Sequence, residues 1–95
     1  MAQSSTTISG QRSHKADITV TEGAAFVSSG GTNTISTTST SLGNLAQYDL
    51  ITVTGTTNNN STFTVKSVAA DGLSITVEET VTTESSDGST DTTIN

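Results

Sequence analysis

Between residues 50 and 79 the chain reads LITVTGTTNNNSTFTVKSVAADGLSITVEE, and apolar and polar residues alternate through three separate runs. Such period-two alternation, rich in β-branched residues and bounded by turn residues, is the signature of half-buried strands. Ile51 and Val53 share one face against Thr52 and Thr54, and Phe63 and Val65 oppose Thr62, Thr64 and Lys66. In the third run Leu73, Ile75 and Val77 oppose Ser74, Thr76 and Glu78. Asp71-Gly72 stands between the second and third runs, where a tight hairpin turn demands positive φ. The connection GTTNNNS is longer and polar, which predicts a mobile tip. An apolar Val68 follows Ser67 where the polar face was due, so a bulge or a strand end is expected there.

The rest of the chain is less regular. Residues 18–21 (ITVT) alternate and begin the folded part, Glu22-Gly23 is a turn, and residues 24–28 (AAFVS) form a second short strand that Gly30-Gly31 ends. Residues 33–42 (NTISTTSTSL) read as an edge strand or a long loop, and residues 43–49 (GNLAQYD) as the one place for a helical turn. Val81 extends the last strand. The expected architecture is all-β, a small antiparallel sandwich or open barrel of five to seven short strands with an extended N-terminal arm. The arm covers residues 1–16, the β-domain residues 17–83, and a polar acidic tail residues 84–95.

Composition limits what such a domain can do alone. Leu, Ile, Val and Phe number 19 of 95 residues against 37 Ser and Thr, and there is no Trp. A chain this short buries only roughly 60–65% of its unfolded surface even with an ordinary core. With no cysteine and one histidine, neither disulfides nor a structural zinc can staple it. Self-association or docking on a larger surface is the remaining route. The absence of proline, and of any strand lysine but Lys66, leaves sheet edges unguarded and points the same way.

No apolar run in MAQSSTTISGQRSHK reads as a secretory signal and no stretch is long enough to span a membrane, so synthesis in the cytoplasm is expected. The formal charge of −6 is unevenly spread: Arg12 and Lys15 put residues 1–16 at +2, while Lys66 against nine carboxylates puts residues 17–95 at −8. An acidic body repels phosphate backbones, which argues against nucleic acid as a partner. The basic cluster suits an acidic protein surface. Ile8, Arg12, His14 and Lys15 are therefore the candidate interface residues.

Reactive chemistry is scarce. His14 is the sole histidine and lies in the arm, where a nucleophile–base pair lacks a rigid support. Glu78 and Glu79 are adjacent, so on a strand they point to opposite faces and do not converge as glycosidase carboxylates must. Asp87-Gly88-Ser89-Thr90-Asp91 lacks the regular spacing and distal Glu of a calcium loop. Asn59 and Asn60 each begin a glycosylation triplet that, without a secretory signal, is only a turn. Tyr48, with the 55–61 loop, is the one candidate for a carbohydrate site. No enzyme, metal or cofactor is expected.

From Tyr48 to about residue 80 the order is an acidic residue before ITVTG, an Asn-rich turn, TFTVKSVAADG and then ITVEE. This third of the chain resembles small β-rich structural proteins of tailed-bacteriophage virions, among them head decoration (cement) proteins. Ser61 stands where a Gly is often expected in the turn. The resemblance implies a mechanical role: a protein made in the host cytoplasm that settles on the capsid surface, with the major capsid protein and its own copies, as homodimer or homotrimer, for partners. It carries no catalytic residues. A tail or head-to-tail connector component is the neighbouring alternative, and a carbohydrate-binding or adhesin-like β-module the alternative of another class.

Overall fold

The computed structural model describes residues 12–13, 17–86 and 91–95. In chain order the strands are β1 (Arg12–Ser13), β2 (Ile18–Val20), β3 (Ala25–Ser29), β4 (Thr32–Ser36), β5 (Asp49–Thr54), β6 (Ser61–Val68), β7 (Ser74–Val77) and β8 (Thr92–Ile94). The fold is all-β, with no helix among the described residues. Seven strands pair antiparallel in one open sheet of order β2-β8-β5-β6-β7-β4-β3. The eighth, β1, adds a short parallel pairing of Arg12 with Asp49 and Ser13 with Leu50.

The alternating runs of residues 50–77 form the centre of this sheet. β6 pairs with β5 along Ser61–Thr64 and with β7 along Val65–Val68, so the sheet turns across β6 and both halves face one core. The register shifts between Val65 and Ser67, a bulge that leaves Lys66 as the extra residue. The parity break in the sequence is this bulge. Beyond Val68, the turn at Asp71-Gly72 closes with Gly72 N–H on Ala69 O at 2.9 Å and φ of 73° at Gly72.

The scarce apolar residues go almost entirely into one core. Fourteen buried hydrophobic residues form a single cluster, with Phe26, Ile35, Leu42, Ile51, Val53, Val65 and Ile94 wholly enclosed. Leu42 and Leu45 come from the connection before β5, where a helical turn is expected and a single 3₁₀ turn would suffice; two separate turns closed by i→i+3 bonds stand there, Leu45 N–H to Leu42 O and Asp49 N–H to Ala46 O.

Four expectations differ from what is seen. Residues 33–36 are neither an edge strand nor loop: β4 lies inside the sheet between β3 and β7, with alternate side chains Asn33 and Ile35 buried. Residues 84–95 are not simply a polar tail. Thr92–Ile94 form β8, an interior strand between β5 and β2, because Thr92 and Ile94 point into the core. Val81 is buried but lies beyond β7. Of the expected arm, Arg12–Ser13 pair with β5 of the same chain, where they share an edge with β8.

The β3 edge is guarded, by hydroxyls and a crossing segment rather than by lysine or proline. Along the outer edge of β3, Ala24 N–H donates to Thr92 Oγ1 at 3.0 Å and Ser28 N–H to Thr83 Oγ1 at 3.1 Å. Between them Phe26 exchanges both backbone hydrogen bonds with Glu84, at 2.8 and 2.9 Å.

Candidate functional site

Three connections meet beside that edge: the β2–β3 turn, the β5–β6 loop and the segment after β7. They enclose a small polar cleft, with about 50 Å³ open to water centres, lined by Gly23, Ala24, Gly55, Thr56, Thr57, Glu84, Ser85 and Thr92. Glu84 holds the meeting point together. Its carboxylate accepts the Thr57 N–H at 3.1 Å, the Asn58 N–H at 2.9 Å and the Asn59 Nδ2 amide. Asn59 is buried and adds a second clamp, donating from Nδ2 to Thr82 O and accepting the Thr82 N–H at Oδ1, each at 2.8 Å. Asn60 accepts the Thr56 N–H at 2.8 Å and returns a bond from Nδ2 to Thr56 O at 3.0 Å. The loop expected to have a mobile tip is thus tied at four consecutive positions, because the Glu84 carboxylate and the side chains of Asn59 and Asn60 supply the partners that a two-residue hairpin would provide from its backbone.

The other carboxylates do similar work. Glu22 accepts the Thr38 N–H at 2.8 Å and the Ser39 N–H at 3.3 Å, which anchors the connection after β4. Its pKa is held below the ordinary 4.5, first by its own backbone N–H and then by that of Thr38, against a smaller opposing effect of burial. Glu79 takes the Thr64 N–H at 2.7 Å where β7 has ended, so a side chain continues the β6–β7 ladder. Asp49 accepts the Ala46 N–H at 2.9 Å, Asp71 the Leu73 N–H at 2.9 Å, and Asp17 the Asn95 side-chain amide at 2.6 Å. Charge-assisted bonds of this kind are the stronger class of hydrogen bond. Acidity that reads in the sequence as a surface property is in large part main-chain capping.

Of the candidate interface residues, Ile8, His14 and Lys15 lie outside the described residues, as does most of the Asp87–Asp91 stretch. Arg12 is placed in β1, in register with Asp49. Tyr48, the candidate for a carbohydrate site, is 46% exposed. It does not share a site with the 55–61 loop, since the two stand at opposite ends of β5, roughly 23 Å apart at about 3.3 Å per residue. Among the described residues, no group of three His, Cys, Asp or Glu is placed to hold a metal ion. Among the described residues no helix is long and apolar enough to cross a membrane.

Glu84 and Asn59, the residues that organise the cleft, carry no local signal. Their partners lie 23 to 27 residues away in sequence. No protein-family model matches the chain, and comparisons with curated proteins and with solved structures yield no match.

Proposed function

We propose that this chain is a structural protein of a tailed-bacteriophage virion, a capsid decoration protein that binds the outer surface of the head and stabilises it as a homo-oligomer on the major capsid protein. The observation that carries the mechanical part of this reading is where the carboxylates go. Glu22, Asp49, Asp71, Glu79 and Glu84 each accept backbone N–H groups, so side chains that catalysis would need free hold loops and ladder ends instead. The virion part rests on the resemblance of residues 48–80, which form the β5–β7 centre of the sheet.

Adhesion in this reading comes from many modest contacts. A net hydrogen bond contributes only about 0.5–1.5 kcal/mol. Useful occupancy therefore depends on repetition across a symmetric shell, where linked sites raise the effective concentration of one another. The basic N-terminal segment supplies attraction to an acidic partner. Replacing Arg12 and Lys15 together by Glu and measuring occupancy on purified capsids by co-sedimentation tests this role. Reduced occupancy is expected, and undiminished occupancy overturns it. Immunolabelled particles separate decoration of the head from a place in the tail or connector.

A further inference from the structure

The two edges of the seven-strand sheet are treated differently. β3 is covered by Thr92, Thr83 and Glu84. β2 stands at the other end, paired with β8 alone, and no described residue pairs with its outer side. Residues 18–21 carry none of the devices that keep an edge from pairing: no charge, no proline and no bulge.

Which groups of β2 point outward follows from the ladder. Thr52 and Asn95 exchange both backbone hydrogen bonds, each at 2.9 Å, and Thr54 opposes Thr93 two residues on, so Thr93 directs its N–H and C=O to β5. These directions alternate along an antiparallel strand. Thr92 and Ile94 therefore face β2, where they meet Val20 and Ile18. That leaves the N–H and C=O of Thr19 turned away from β8, on an exposed residue. On either side of it, Ile18 is half-buried against the core and Val20 is wholly buried.

This edge fits a second copy of itself. Read in either direction, Ile18-Thr19-Val20 is apolar, polar, apolar. Two β2 strands running antiparallel about Thr19 would set Thr19 opposite Thr19, each N–H on the other's C=O. Ile18 of each copy would then lie opposite Val20 of the other, in the non-hydrogen-bonded pairs where side chains come closer. The half-open side of Ile18 gains an apolar neighbour. Charge permits the contact although the chain carries −6. Asp17, the one charge beside the strand, is bonded to Asn95 at 2.6 Å. In this register the two Asp17 residues stand four positions apart, about 13 Å at about 3.3 Å per residue. That exceeds the Debye length of about 8 Å at physiological salt.

We propose that two copies of this chain join by antiparallel pairing of β2 with β2 about Thr19, which continues one sheet through both molecules. This deepens the self-association part of the reading above, on which it rests, and narrows it to a two-fold contact in which the same patch serves both partners. So short a strand pair buries less than the about 800 Å² per partner of a standard interface, so the dimer is weak in solution and gains from the repeated sites of a symmetric shell.

Light scattering on the full chain over a concentration series, with T19P, T19K and T19E, tests the proposal, and circular dichroism reports whether each variant is folded. Thr19→Pro removes an N–H that the fold leaves unused, and an edge strand tolerates proline there. T19P should be folded and monomeric. T19K and T19E each set two like charges face to face and should dimerise severalfold more weakly than the parent. An equimolar mixture of the two should dimerise more tightly than either alone, because only residues directly opposite each other re-pair in this way. A parent that is monomeric up to about 1 mM, a trimer, T19P dimerising like the parent, or a mixture no tighter than its components overturns the proposal. Capsid occupancy measured alongside keeps the readings separate. If the parent is monomeric in solution and T19P loses occupancy, the edge belongs to a capsid strand and this inference falls; a dimer that leaves capsids bare supports it and sinks decoration.

Discussion

Asn59 pairs with Thr82 as one strand residue pairs with another: its side-chain amide donates to Thr82 O and accepts from Thr82 N–H, both at 2.8 Å. A side chain thereby joins the β5–β6 loop to the segment that covers the β3 edge, across 23 residues of sequence. The pair is what closes this end of the open sheet.

Replacing Asn59 by Ala removes both partners of a main-chain group at a site where Asn59 is only 3% exposed. A loss of about 2–3 kcal/mol is expected, since each polar group left without a partner costs about 1–3 kcal/mol. Asn59→Asp should be worse than Ala at neutral pH, because the donor to Thr82 O is lost and a second carboxylate faces Glu84. Urea midpoints of the two variants check the order.

Two glycines with positive φ should respond very differently to alanine. At Gly55, φ 86°, a Cβ would run into the Asp91 carbonyl oxygen, a backbone atom that has no rotamer to move away. At Gly31, φ 83°, a Cβ meets nothing within 4 Å. Gly31→Ala should therefore cost only the left-handed backbone penalty, roughly 1–2 kcal/mol. Gly55→Ala should add a steric term and lower Tm well beyond it, as thermal melts would show.

Ile94→Ala distinguishes an interior strand from a solvated tail. Ile94 is wholly buried between β2 and β5. Truncating a buried Ile costs about 2–5 kcal/mol. A change of a few tenths in equilibrium denaturation would contradict the placement of β8.

Glu22 gives the stability a dependence on acid. Its folded-state pKa is depressed below 4.5, so its contribution is fully present above that unfolded-state value and is lost as pH falls through the folded one. Glu22→Gln should thus be less stable than the parent near neutral pH, and the two melting curves should converge below pH 4.5. A difference that stays constant down to strongly acidic pH would show that the carboxylate's charge is not what holds Thr38 and Ser39.

What could be read in advance divides along physical lines. Where successive side chains face alternate sides of a sheet, the pattern is written locally, so residues 50–54, 62–66 and 74–77 announce themselves. The bulge at Lys66 shows as a broken parity for the same reason. β8 is nearly silent because it holds one large apolar residue, and Thr92, which also faces inward, reads as solvent-exposed. β4 looks like an edge because Thr and Ser say nothing about how many neighbours a strand has. In NNN the three asparagines are chemically identical, yet only Asn59 turns inward, and the choice is made by Thr82 and Glu84 rather than by anything beside it.

Taken alone, then, the order of residues determined an all-β chain with three central strands, a turn at Asp71-Gly72 and a charge divided between a basic start and an acidic remainder. Those features depend on backbone sterics and side-chain alternation, which act over a few residues. Tertiary structure decided which strands lie inside the sheet, which carboxylates cap loops, and that Tyr48 and the Glu84 cleft stand at opposite ends of β5. Hydrogen bonds and charges meet wherever the folded chain brings them together, and that proximity has no trace in local sequence.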